Sequence, residues 1–369
     1  MIAAAARSPA GGAGPSPMRA PLADATQRPL CISSPDRQDT TTLFTPAKRF
    51  AIVRCGEAKN KQMEGGVRII GVWRSSVRRL LGELLMTIMS IRGVPLFVKV
   101  VGRGYPLVIM HGGPGADHTS LMSLRPCADQ FTLIFYDHRC NGRSMGANIS
   151  SFTWENLAAD ADALRQALGF EEWGVLGHSL GGMVALEYAL RYPEHLSHLV
   201  LLDTCGDLRW AQEKAPELLA QRGYSLDTVK LARRFLNGQI APNEMMPALM
   251  KLVSAYYPHK LSPLRLVQLL ASGLGSKTRP EALIFGYGHS LRGWTVMDRL
   301  GEIKVRTLVM AGRDDFQFPP EHQAELVAGI AGARLEIIER AGHNAHQERP
   351  AEVIKAVKDF MAAGTPSRS

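Results

Sequence analysis

A serine at Gly177-His178-Ser179-Leu180-Gly181, an aspartate pair at Asp314-Asp315 and a histidine at Gly342-His343 are the side chains that could jointly do chemistry. A serine hydroxyl is a weak nucleophile at neutral pH. It gains strength from a base within hydrogen-bond reach, which a carboxylate must in turn orient. The chain offers these groups in the order serine, acid, base, one of the orders that hydrolytic triads use. Ser179 is the expected nucleophile, Asp315 the acid and His343 the base, because a glycine precedes that histidine and it leaves the end of a strand. His346 is the alternative base, and Asp314 and Asp203 are the alternative acids. His178 adjoins the nucleophile but would point elsewhere in a tight turn. His111 is expected to support its own loop. The oxyanion of an acyl-transfer intermediate would need backbone N–H donors. Leu180, directly after the nucleophile, and Gly113, in His111-Gly112-Gly113-Pro114-Gly115, are positioned to supply them.

These residues need elements that hold them. Trp173–Gly177 reads as a short apolar strand and Met183–Arg191 as a helix, so Ser179 sits at the apex of a strand–turn–helix. Glycines at 177 and 181 let neighbouring backbone pass close to that apex. Pro95–Val101, Leu107–Met110, Phe131–Tyr136, His198–Asp203, Arg306–Ala311 and Arg334–Glu339 also read as strands. Thr153–Leu168 reads as a helix capped by Thr153 and stopped by Gly169. A further helix begins at Pro319-Pro320, and a last one ends near Met361. Strands alternating with helices imply a mostly parallel sheet covered on both faces. Between Cys205 and about Leu300 the alternation stops, and Trp210–Arg222, Ser225–Leu236, Pro242–Tyr257 and Leu264–Ser272 have helical patterns. The expected organisation is therefore an N-terminal extension over 1–88, a core over 89–204, a helical cap over 205–300, the rest of the core over 301–362 and a tail over 363–369.

Composition excludes several other classes. The net charge of +9 would suit nucleic acid, but residues 1–85 hold 13 Lys and Arg against 6 Asp and Glu, leaving 30 against 28 in the rest. The body is close to neutral and carries no basic stripe with interleaved aromatics, so no nucleic-acid partner is expected. No uninterrupted apolar stretch reaches the roughly 18 residues of a membrane span, so stable membrane insertion is not expected. Cys31, Cys55, Cys127, Cys140 and Cys205 are scattered without paired spacing, as in reduced thiols of a cytoplasmic protein. His195-x-x-His198 and His343-x-x-His346 lack further ligands, and Gly273–Lys277 lacks full phosphate-loop spacing, so neither metal nor cofactor is expected. Residues 1–64 read as disordered, without a secretory leader. Val67–Met86 has the spacing of a solvated helix. Translation starting at Met86 or Met89 would leave that whole stretch without a role.

The combination of His111-Gly112-Gly113-Pro114-Gly115, the Asp137–Ser144 segment, Gly177-His178-Ser179-Leu180-Gly181-Gly182, Gly312-Arg313-Asp314-Asp315 and Gly342-His343 resembles the α/β-hydrolase superfamily over roughly Ile91–Met361. Within it, the His-Gly-Gly-Pro-Gly loop and Asp-x-Arg-x-x-Gly-x-Ser resemble the proline iminopeptidase branch. The resemblance implies nucleophile, acid and base roles for Ser179, Asp315 and His343, no cofactor, and a short peptide or other small molecule as substrate. That branch typically has Trp or Tyr after the nucleophile, where this chain has Leu180. It also holds the substrate's free amine with acidic residues, for which Glu213, Glu217, Glu244 and Glu281 are the cap's candidates. The segment His178–Gly182 is equally similar to esterases, lactonases and carbon–carbon bond hydrolases. A ligand receptor on the same fold is the alternative from outside enzymes.

Overall fold

A computed structural model describes residues 85–362. The segments expected to form the disordered start, most of the Val67–Met86 helix and the 363–369 tail lie outside the described residues. The strands β1 (Leu85–Ile91), β2 (Val94–Val101), β3 (Tyr105–Met110), β4 (Phe131–Tyr136), β5 (Trp173–His178), β6 (Leu196–Leu202), β7 (Arg306–Gly312) and β8 (Arg334–Ile338) form one sheet ordered β1-β2-β4-β3-β5-β6-β7-β8. β1 and β2 join as antiparallel strands, β2 meets β4 antiparallel, and every later pair is parallel. This is the mostly parallel sheet between helical layers that the sequence implied.

The side-chain alternation of a strand feeds two cores. Val108 and Met110 of β3 join one apolar cluster with Leu157, Ala161 and Leu164 of α1 (Trp154–Leu168) and Val184 and Tyr188 of α2 (Leu180–Arg191). Leu107 and Ile109 join the other, with Val353, Val357 and Phe360 of the last helix, Pro350–Ala362. Burial on both faces is why these strands read as continuous apolar runs rather than alternating ones. Thr153 caps α1 by accepting from the Asn156 N–H, and Gly169 closes it in the left-handed conformation.

Two elements differ from expectation. Residues 85–88, assigned by sequence to a loosely helical extension, are strand: Leu85–Ile91 pairs residue for residue with Val94–Val100 across the Arg92-Gly93 turn. The alternation was hidden because Met86 and Ile88 are apolar yet lie 51% and 52% exposed on an edge strand. A tight-helix segment at His118–Asp129, not foreseen at all, forms the connection from β3 to β4.

Between β6 and β7 the chain is helical: α3 (Arg209–Gln221), α4 (Leu226–Leu236), α5 (Met245–Tyr256), α6 (Pro263–Gly275) and α7 (Pro280–Phe285). After β7 come α8 (Pro320–Gly329), the short α9 (Ala345–Glu348) and α10 (Pro350–Ala362). The carboxyl ends of β3, β5, β6, β7 and β8 thus deliver residues 111–115, 179, 203, 312–315 and 341–343 to one edge of the sheet, where ligands of open α/β sheets bind.

Candidate active site

Ser179 has φ 54° and ψ −121° at the junction of β5 and α2, a conformation L side chains rarely adopt. The surroundings enforce it. Its N–H donates to Leu202 O at 3.0 Å, and its carbonyl accepts from the Thr204 hydroxyl at 2.7 Å. A Cβ at Gly177 would strike Gly181 O, and one at Gly181 would strike Met110 O, so both glycines are required by close backbone approach.

The three residues expected from sequence meet here. His343 Nδ1 lies 2.9 Å from Asp315 Oδ2, and its Nε2 lies 3.0 Å from Ser179 Oγ. A carboxylate oxygen only accepts, so Nδ1 carries the proton and Nε2 is left to accept from the serine hydroxyl. Asp315 is fully buried, its other oxygen taking the Gln317 N–H at 2.8 Å. The rings of Tyr256 and Phe318 flank His343 at 5.4 and 5.5 Å between centroids.

The alternatives fall elsewhere. Asp314 is partly exposed and its Oδ2 pairs with His259 at 2.7 Å. His346 contacts the carbonyl of Ser120 through Nε2 at 3.1 Å. His111 uses both ring nitrogens on backbone: Nε2 accepts the His138 N–H at 3.1 Å, so Nδ1 carries the proton and donates to Gly112 O at 3.0 Å. Asp203, buried with φ 46°, accepts the Gly312 N–H at 2.7 Å and the Ala345 N–H at 3.2 Å. It thereby ties the loop carrying Asp315 to the loop carrying His343.

Sequence reasoning missed this bracing. His178 donates Nε2–H to the carbonyl of His343 at 2.9 Å, which steadies His343 by its backbone. Glu348 takes the Gly342 N–H at 2.6 Å. Burial, and then the neighbouring His346 and His343, hold His178 well below the usual histidine range. Burial, and then Asp315, push Asp203 well above the carboxylate range. Burial raises Glu348 to about 7. Their signal in the sequence is slight: His178 lies within Gly177–Gly181, Asp203 ends an apolar run, and Glu348 comes shortly after Gly342-His343. Gly112 lies against Ser179, since a Cβ there would approach Ser179 Cβ to 3.0 Å, and Gly113 holds φ 58° in the same loop. Glu213, Glu217, Glu244 and Glu281 are all exposed; Glu217 pairs with Lys214 and Glu244 with Arg234.

The comparisons with known proteins agree with this architecture. Residues 105–350 match the model of the alpha/beta hydrolase fold family. A proline iminopeptidase, PfmaB, of Pestalotiopsis fici is 26% identical over 285 residues, covering 75% of this chain and 99% of that protein. A 2-hydroxy-6-oxo-6-phenylhexa-2,4-dienoate hydrolase of Comamonas testosteroni is 30% identical over 275 residues, covering 70% of this chain and 88% of that protein. The crystal structure of a proline iminopeptidase from Mycobacterium smegmatis is 25% identical with a TM-score of 0.61, covering 76% of this chain and 98% of that one. With its sheet, its strained serine turn and a family match spanning most of its length, this chain belongs to the α/β-hydrolase fold family, is an enzyme of that family, and resembles its proline iminopeptidase branch.

Proposed function

We propose that this protein is a cofactor-independent serine hydrolase of small carbonyl substrates that works through an acyl-enzyme. The observation carrying the reading is the relay of hydrogen bonds from Ser179 Oγ to His343 at 3.0 Å and from His343 to Asp315 at 2.9 Å. Ser179 attacks the carbonyl carbon while His343 takes the hydroxyl proton. The imidazolium, steadied by Asp315, then returns that proton to the leaving group. The N–H groups of Leu180 and Gly113 stabilise the oxyanion. A water activated by His343 releases the acyl group in the second half. The inserted helices between β6 and β7 act as a cap over this edge, with Tyr256 against the base.

Proline iminopeptidase-like cleavage of small peptides or amides is supported by the His111–Gly115 loop and by the relatives of that name. A second reading, hydrolysis of esters, lactones or carbon–carbon bonds of small ketones, is favoured by the four exposed cap glutamates, which leave a substrate ammonium group without them as partners. Leu180 in place of an aromatic favours it too. Comparing kcat/KM for a proline arylamide with that for short-chain aryl esters tests the choice. Preference for the arylamide supports the peptidase; a preference for the ester of a hundredfold or more overturns it.

A further inference from the structure

Apolar side chains left in water are concentrated in one stretch of this chain. Seven of the eleven large hydrophobic residues that are strongly exposed among the described residues lie on α5 and α6. On α5 they are Met246 (47%), Met250 (66%) and Val253 (44%), spaced to fall on one stripe of a 3.6-residue helix. On α6 they are Leu266 (48%), Val267 (61%), Leu270 (62%) and Leu274 (92%), again a single face. Scattered exposed leucines are ordinary, but two apolar faces on consecutive helices are not.

Charge identifies what covers them. From Met245 to Arg279 the chain carries Lys251, Lys260, Arg265, Lys277 and Arg279 and not one Asp or Glu. In the neighbouring helices the signs are mixed, as in the Lys214–Glu217 and Arg234–Glu244 pairs. Lys251, Lys260 and Lys277 are exposed. Apolar faces on helices whose own charged residues are all cations fit a surface that is apolar beneath and anionic on top. The helices are too short to cross it. Their 12 and 13 residues give about 18–20 Å of length, against the roughly 30 Å of a bilayer's hydrocarbon core.

We propose that the exposed faces of α5 and α6 dock this protein onto an anionic lipid surface, with their leucines and methionines at the acyl boundary and their lysines among the headgroups. The connection between the two helices reaches the catalytic edge: Tyr257 bonds Gln347, His259 bonds Asp314, and Pro258 lies against Gly342, next to the base. Docking therefore engages the elements that lie against the site.

Co-sedimentation of the full chain with vesicles tests this without reference to turnover, so its failure leaves the hydrolase reading untouched. Binding to phosphatidylserine-containing vesicles, at least tenfold tighter than to phosphatidylcholine alone and weakened by salt, is the expected result. Leu270→Glu with Leu274→Glu should weaken it by tenfold or more. Lys251→Glu with Lys260→Glu should do so while leaving every apolar contact in place, and carries the test should the leucine variant fold poorly. Equal partition onto both vesicle types, or no partition onto either, overturns the proposal. So does a concentration-dependent dimer that Leu270→Glu with Leu274→Glu dissociates, since a second copy would then cover these faces.

Discussion

At the scale of single residues, the division of labour between carboxylates follows from what each touches. Asp315 meets the imidazole of His343, whereas Asp314 faces His259 on the far side of the same loop. Asp315→Asn should therefore lower kcat by about 10⁴ through loss of the correct tautomer, and Asp314→Asn by less than about tenfold. Steady-state kinetics of the two variants decides this, and equal losses would contradict it. Asp203 presents a different case. Asp203→Ala strands the buried N–H groups of Gly312 and Ala345, each costing about 1–3 kcal/mol. The expected result is a lower unfolding midpoint in urea together with Ser179 that still reacts slowly with a phosphonylating probe. Complete loss of that reactivity in a folded variant would make Asp203 the acid. The three principal positions were legible because motif and order constrain them. The bracing by His178 and Asp203 was not, since each acts on a backbone group distant in sequence that only the assembled sheet brings near, and Glu348 reaches back to Gly342 across a short stretch with no periodic pattern to read.

At the scale of elements, the turn at Ser179 sets a tight packing demand. A methyl at Gly177 would meet the backbone of Gly181 and Gly182 with no flexible side chain to yield, so Gly177→Ala should cost about 3 kcal/mol or more. Gly169 ends α1 at φ 78° with open space around it. Gly169→Ala should cost only the left-handed strain, about 1–2 kcal/mol. Urea midpoints of both variants check the ordering; a larger loss at Gly169 would mean that conformation rather than clash governs these turns. Parallel strands were readable as apolar runs and α1 from its caps. β1 was not, because an edge strand with exposed Met86 and Ile88 lacks the polar alternation that marks a half-buried strand. The His118–Asp129 segment has Pro126 within it, and its buried Leu121, Leu124 and Cys127 recur every third residue rather than at the α-helical spacing.

Across the whole molecule, buried histidines couple stability to pH. Burial lowers His322 to about 4 and His346 to about 3, and it holds His138 and His178 well below the usual range. Each stays neutral in the fold and takes a proton on unfolding once pH drops below about 6.5. Stability is therefore lost as pH falls from about 6.5 toward those folded values, by about 1.4 kcal/mol per histidine per pH unit. Glu348, raised to about 7, works in the opposite direction: its folded form keeps a proton that the unfolded form releases above about 4.5, so its contribution declines as pH rises toward 7. Urea unfolding between pH 5 and 7 should show a net loss on acidification that His322→Gln makes shallower; an unchanged slope would contradict the assignment. The proposed hydrolysis rests on one chemical claim, that the hydroxyl of Ser179 is activated by its contact with His343. Mass spectrometry after treatment with a fluorophosphonate measures this most directly. The expected result is one phosphonyl group on the peptide containing Ser179, absent from Ser179→Ala and strongly slowed in His343→Ala; an unlabelled wild type, or equal labelling of Ser179→Ala, would contradict it.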